Sequence, residues 1–583
     1  MRAPLAAAAV VLLLACSSAH ARALDLEDAY AAHANVLHAH AADLVADAVS
    51  AALASRLAGV PGTALAADAD ARALQAHLDC LASEGEWVHD PRGTHLAAHG
   101  RALTVHKHDG RYAACDRRYY KGREASTDPG HWDVRPSLQW RWVPSPSCAA
   151  LAPGGSHTPD DDDDEPPSRA RFCALLAHKA TLLVGDATQY SLHDLLLDYA
   201  ATTPQSCYGD LYCKEHGLCA EVLRAVREGR AHDVESTSED ERVYVDLPLP
   251  PGMTGAGQLQ ARRTHADGHA ERALRYSSPS YGTLLRYRRS DGLRPAMAHT
   301  APTYRHPETG VREVNQPWLA DARRSDVVVL TKAPLPLPLR SANASFWDAL
   351  DAAAAAGSDQ RAQALLALAA EWTARVWLPE LVDALRAIRA PPSPPDVLVI
   401  YRGGWRQHAD CAAPGAAAGD GPGPGPHTAP PALGELLAPG VPLHVAWHNA
   451  QVALQNTAVR TVVAPGFGAV FLDLETPLAV WPAGMVGSSL APSPAGLVLQ
   501  GDAGGGRGLR TPASGDCTRY CLPSPGLALE THFVGALARV LRLAWAGSPD
   551  VEREWVGDAF VGIREREARR AGAAAAGKGG PRG

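Results

Sequence analysis

Four short, almost wholly apolar runs constrain this chain most: Thr181-Leu182-Leu183-Val184, Val327-Val328-Val329-Leu330, Val397-Leu398-Val399-Ile400 and Ala469-Val470-Phe471-Leu472. Runs without polar alternation are buried on both faces, as strands of a helix-covered parallel sheet are. Helical patterns lie between them, from Thr188 to Tyr199 and across residues 344–389. Strands alternating with helices predict an α/β fold with a largely parallel sheet. Such a sheet gathers its functional groups at the carboxyl ends of its strands. The first run ends in Gly185-Asp186-Ala187-Thr188 and passes directly into a helical pattern, so this turn is the leading candidate site.

The N-terminus reads as an export signal. Arg2 precedes an apolar run from Ala3 to Ala15, and an A-x-A pattern places cleavage after Ala21. The run is shorter than the roughly 20 residues that span a bilayer. An uncleaved anchor is the alternative, as is a lipobox at Leu13-Leu14-Ala15-Cys16. Cleavage after Ala21 would remove Cys16, so the chain's 11 cysteines become an even set suited to disulfides. Asn343-Ala344-Ser345 is then a usable glycosylation sequon. These features imply the secretory pathway, with the Golgi lumen, cell surface or extracellular space as destination. Membrane contact is expected only through an uncleaved N-terminal segment.

Residues 22–78 read as an Ala-rich helical stem, and 79–547 as one large domain. Insertions are expected near 150–168, 226–275 and 409–432, with a helix and disordered tail across 548–583. Net charge is −8, so no basic field exists for nucleic acid. The acidic run Asp160 to Glu165 lacks the spaced turn residues of a calcium loop. Cys207, Cys213 and Cys219 lack the close pairs of a zinc site, so no metal or cofactor is expected. Lysine is scarce, and Lys332 reads as a surface residue.

Several blocks, in order, carry a resemblance. Gly85-Glu86-Trp87-Val88-His89-Asp90 follows Cys80, and Leu138-Gln139-Trp140-Arg141-Trp142 precedes Cys148. Ala114-Cys115 lies between them. Val184-Gly185-Asp186-Ala187, Asp326 to Leu330, and Asp516-Cys517-Thr518-Arg519-Tyr520-Cys521-Leu522-Pro523 complete the set. Over about residues 79–545 the chain resembles the PC-esterase family, which includes the trichome birefringence-like polysaccharide O-acetyltransferases. The resemblance implies an SGNH/GDSL-like α/β/α sandwich. It also implies bridges Cys80–Cys148, Cys115–Cys521 and Cys411–Cys517, with Cys173, Cys207, Cys213 and Cys219 forming two more.

The departures fall on the chemistry. The family's nucleophilic Ser is Ala187 here, and its base His is Arg519, although Asp516 is kept. The family's oxyanion Asn and Gly fall near Thr331 and Ala333, so the oxyanion-type positions are Gly185, Ala187 and Thr331. An Ala cannot accept an acyl group, and an Arg cannot act as a base at physiological pH. The implied function is therefore a degenerate relative that binds a cell-wall or surface polysaccharide or assists in the secretory pathway. The alternative is an active O-acetyltransferase or acetylesterase that uses Thr188 as nucleophile and His193 as base. Thr188 as a helix cap and His193 as a packed side chain are the plainer readings. Trp405, after a strand end, is a candidate platform for a sugar face, with core packing as the alternative.

Overall fold

The structure is a computed structural model that describes residues 26–58, 69–90, 136–152, 169–176, 179–200, 215–219, 283–295, 303–305, 312–337, 344–391, 397–408, 426, 429–481, 484–485, 519–520, 522 and 524–545. Within these, the strands are β1 (Gly85–His89), β2 (Trp140–Pro144), β3 (Ala180–Gly185), β4 (Glu215–Leu218), β5 (Thr283–Arg289), β6 (Thr303–Arg305), β7 (Arg312–Val314), β8 (Val327–Leu330), β9 (Leu398–Arg402) and β10 (Ala469–Leu472). The main helices are α1 (Leu26–Ala48), α2 (Ala69–Ser83), α3 (Arg169–Leu176), α4 (Ala187–Ala200), α5 (Ala344–Ala356), α6 (Ser358–Trp372), α7 (Leu378–Arg389), α8 (Leu443–Ala458) and α9 (Gly535–Trp545).

The central sheet has the order β10-β9-β8-β3-β5-β4. The first five of these strands are mutually parallel, and β4 runs antiparallel on the β5 edge. Numbered along the chain, the parallel strands follow a 2-1-3-4-5 order. That is a doubly wound sheet whose winding reverses between β3 and β8, the crevice where such sheets bind ligands. The four apolar runs are β3, β8, β9 and β10, as their pattern predicts.

Alternation along each strand divides the core in two. Leu183, Val329, Ile400 and Leu472 face α2, α3, α4 and α9 through Leu78, Phe172, Leu196 and Leu541. Leu182, Val184, Val328, Leu330 and Val399 face the other layer, including Leu37, Leu366, Leu385 and Leu454. Helices therefore cover both faces, which makes three layers.

The Ala-rich N-terminal segment is not a free stem in this arrangement. On α1, Leu37 and Ala41 are buried in the second core, and Tyr30 Oη donates to Ala453 O at 3.3 Å. Ala29, Ala41 and Ala48 are buried on this helix, whereas Ala31, Ala32, Ala39, Ala42 and Ala46 are exposed, so close packing accounts for only part of the composition. Among the described residues no single helix is long and apolar enough to cross a membrane.

The β10 edge of the sheet is capped by a helix side chain. Gln75 on α2 acts as a short strand toward β10: its Nε2 donates to Phe471 O at 2.9 Å and its Oε1 accepts from Phe471 N at 3.0 Å. At the opposite edge β4 pairs with β5, and Cys219 just after β4 is bonded to Cys173 on α3. The second described disulfide, Cys80–Cys148, joins α2 to the turn after β2. Cys115, Cys207, Cys213, Cys411, Cys517 and Cys521, with Asn343, lie outside the described residues. So do the N-terminal signal, most of the three expected insertions and the C-terminal tail.

Candidate functional site

At the carboxyl end of β3 the chain must turn into α4 in very little space. A Cβ at Gly185 would come within 2.3 Å of the Thr331 methyl, so glycine is required by packing against β8. Asp186 follows as the helix cap. Its Oδ1 accepts from Thr188 N at 2.9 Å and from the Thr188 hydroxyl at 2.5 Å. The capping residue is thus Asp186 rather than Thr188. Ala187, half-buried, opens the first turn of α4.

Arg402, the last residue of β9, comes from across β8. Its side chain is 1% exposed. Nη2 donates to the Thr188 hydroxyl at 2.5 Å, Nε to Gln189 Oε1 at 3.3 Å and Nη1 to Gly403 O at 2.9 Å. Gln189 in turn donates through Nε2 to Val329 O at 3.0 Å. One guanidinium therefore joins β9 to the start of α4, while Gln189 joins that start to β8. Burial lowers the Arg402 pKa, and Asp186, with its Oδ1 3.8 Å from Nη2, opposes the shift.

Trp405 lies over this cation at 4.5 Å from its ring centre and is buried to 3% exposure. The face proposed for a sugar is occupied by Arg402, so Trp405 is a packing residue. Its ring edge meets Tyr520 at 5.8 Å, and Tyr520 Oη donates to Leu478 O at 2.8 Å. The described part of the C-terminal block is thereby anchored beside β9. Arg519 is half-buried there, and Asp516 lies outside the described residues.

The remaining expected groups are committed elsewhere. Thr331 N donates to Val184 O at 3.0 Å within the sheet, so it is not an open oxyanion donor. His193 is fully buried between the Tyr190 and Tyr287 rings, at 5.7 and 5.8 Å. Burial pushes its pKa down to about 3, so it is neutral at physiological pH. The Thr188 hydroxyl is engaged by Asp186 and Arg402 instead. Lys332 is not a surface residue: its side chain is 1% exposed, with Nζ 2.7 Å from both Gly292 O and Glu380 Oε2. Glu380 also pairs with Arg294. An ion pair explains how a lysine is buried in a chain that uses few.

Other groups at this edge were not singled out by the sequence. Asp291, just beyond β5, accepts from Arg289 Nε at 3.1 Å and Val314 N at 2.9 Å. Burial raises its pKa to about 6 against the pull of Arg289. Glu475, after β10, is 2.5 Å from Arg406 Nε and accepts from Asn456 Nδ2 at 3.1 Å. Burial lifts it to about 7, with Arg406 opposing. Carboxamides on α8 fix the neighbouring loops by paired bonds to single residues. Asn456 holds the backbone of Gly404, Asn449 that of Gln407, and Gln451 that of Leu335, all at 2.8–2.9 Å. The sequence signal for these was Asn and Gln at buried positions on a helix.

The fold and site define an α/β protein with a doubly wound sheet and a rigid, polar carboxyl edge. Compared with protein-family models, curated proteins and solved structures, the chain has no match.

Proposed function

We propose that the chain is an exported, SGNH-like relative of the PC-esterases that has lost acyl transfer and uses the carboxyl edge of its sheet to bind polysaccharide. The observation that carries this reading is the state of the nucleophile turn. A methyl group stands at Ala187, and the adjacent Thr188 hydroxyl is held by Asp186 on one side and Arg402 on the other. A hydroxyl so engaged, with no histidine among the described residues hydrogen-bonded to it, is a poor nucleophile.

The arrangement of the quoted blocks supports the family reading. The two Trp-containing blocks pair as the antiparallel hairpin β1–β2, with Trp87 opposite Trp142. Cys80–Cys148 is the bridge that the resemblance implies. Trp87 packs on Trp481 at 5.1 Å, and the Gly526 backbone fits against it, so the hairpin sits beside the C-terminal segment. Disulfides fit a secretory or extracellular protein.

The deciding experiment offers purified protein acetylated polysaccharide and small acetyl esters, and separately measures retention on unmodified polysaccharide gels. Retention without turnover is expected. Ester turnover by the unaltered protein would overturn the reading. The double variant Ala187→Ser/Arg519→His tests whether the site is disarmed, and newly created turnover is the expected result.

A further inference from the structure

Two π turns lie against α1, and both end alike. In Thr373–Trp377, between α6 and α7, Leu378 N donates to Thr373 O, and Pro379 follows. In Val459–Val463, at the end of α8, Ala464 N donates to Val459 O, and Pro465 follows. A π turn sets each donor back by one residue, and a proline has no N–H to give. In the first joint this leaves Ala374 O without a donor from its own helix.

α1 serves both joints. His40 Nε2 donates to Ala374 O at 3.0 Å, so a side chain of another helix takes the place of the missing proline N–H. At the second joint the Thr461 hydroxyl donates to Thr457 O at 2.8 Å and accepts from His38 Nδ1 at 3.2 Å. Val45 packs on Gly466, where an added Cβ would come within 2.4 Å of its Cγ1.

The contacts continue to the candidate site. Tyr30 Oη is 2.8 Å from Thr457 Oγ1. The adjoining Asn456 brackets the Gly404 backbone with bonds of 2.9 and 2.8 Å and donates to Glu475. Asn449, earlier on α8, brackets Gln407 in the same way. The loop that carries Trp405 is thus held by the helix that α1 holds. α1 itself is lightly attached. Of its buried residues Leu37 alone is large, the rest being Ala29, Ala41 and Ala48, with Tyr30, Leu44 and Val45 half-buried beside them. An element that buries so little apolar surface is a natural unit of local opening.

We propose that α1 is a strap. Docked, it closes the two proline-ended joints and keeps α8, and through α8 the 403–407 loop, in place. Undocked, it frees joints and loop together, so its docking sets the rigidity of the carboxyl edge. The strap depends on no ligand and stands apart from the polysaccharide-binding reading.

Hydrogen exchange in the full chain tests this, read by mass spectrometry on peptides covering α1, 373–380, 459–466 and 403–407. His40→Ala and Tyr30→Phe each remove one strap contact and leave the joints' own residues unaltered. Each is expected to speed exchange in all four segments by up to about tenfold, the upper range for one lost hydrogen bond, with β3 and β8 unchanged. His40→Gln keeps an N–H for Ala374 O and should restore most of the protection. Faster exchange confined to α1, or spread equally to β3 and β8, would overturn the strap. So would the same response to Val36→Ser, on the exposed face of α1, because it would trace the effect to the helix's own stability. If the variants fail to fold, the unaltered protein decides in sub-denaturing urea. There α1, both joints and the loop should open together with one urea dependence, and separate dependences for α1 and the loop would refute the coupling.

Discussion

Arg402 Nη2 donates to the Thr188 hydroxyl across 2.5 Å, and that hydroxyl donates to Asp186 Oδ1 at the same distance. The cation closes the turn at which a nucleophile would otherwise operate. Removing it would leave Gln189 Oε1 and the Thr188 hydroxyl buried without their donor. We predict that Arg402→Met destabilises the protein by about 3 kcal/mol in urea unfolding. Arg402→Lys should recover only part of this, because an ammonium cannot reproduce three bonds in a fixed plane. A change below about 0.5 kcal/mol, the range of ordinary surface substitutions, would show that the network is not structural.

This network also marks where the sequence was readable. The runs that became β3, β8, β9 and β10 are buried on both faces, so composition alone marks them as strands. β5 is different: Leu285 and Tyr287 enter the core, while Arg286 and Arg288 alternate with them and are half-buried. Its period-2 pattern was present but interrupted by arginines, whose aliphatic stems and ion pairs permit partial burial. Arg288, for example, is 2.7 Å from Asp321. Asp186 and its turn were legible because a strand end and a helix start adjoin in sequence. Arg402 was not, because its partner Thr188 is 214 residues away. Only the strand order places the two side by side. Lys332 was misread for the same reason, since nothing local announces Glu380.

The rescue chemistry has its own test. If Thr188 and His193 formed a catalytic pair, either Thr188→Ala or His193→Phe would abolish acetyl-ester turnover. The structure separates their roles: Thr188 belongs to the Asp186–Arg402 bridge and His193 to an aromatic pocket. We expect background turnover in the unaltered protein and in both variants. A signal lost in both variants, with folding intact by circular dichroism, would restore the pair.

Two buried histidines contribute to the acid limb of stability. His193 and His532 are both held down to about 3 by burial, with Arg539 adding to the effect at His532. The unfolded chain binds protons on both near pH 6.5, whereas the folded chain does not until about pH 3. Their contribution is therefore fully present above pH 6.5 and is lost as pH falls toward 3. His193→Phe should flatten the decline in unfolding free energy across this window. An unchanged slope in the variant would mean that His193 is not buried as described.

Glu475 acts in the opposite direction. Burial lifts its folded pKa to about 7, above the ordinary carboxylate value of 4.5. The folded state then holds a proton that the unfolded state has released, so its contribution is complete below pH 4.5 and is lost as pH rises through 7. Arg406 and Asn456 reduce this cost without removing it. Glu475→Gln should flatten the stability profile between pH 4.5 and 7, read by denaturant titration at several pH values. A variant whose profile keeps the full slope would assign the proton to another group, with Asp291 the next candidate.

The last prediction concerns the sheet edge. β4 has only four residues, and its pairing partner β5 is the outermost parallel strand. A strand this short holds few ladder bonds, and the buried Cys173–Cys219 bridge fastens its end to α3. The bridge closes a loop with a sequence separation of 46. Chain-entropy reasoning gives such a loop about 4 kcal/mol of stabilisation. The double variant Cys173→Ser/Cys219→Ser should lose a comparable amount. Hydrogen exchange should accelerate first at Glu215–Leu218 and Thr283–Arg289, with β8 to β10 still protected. Uniform acceleration across all six strands would mean that the bridge stabilises the sheet as a whole, not this edge.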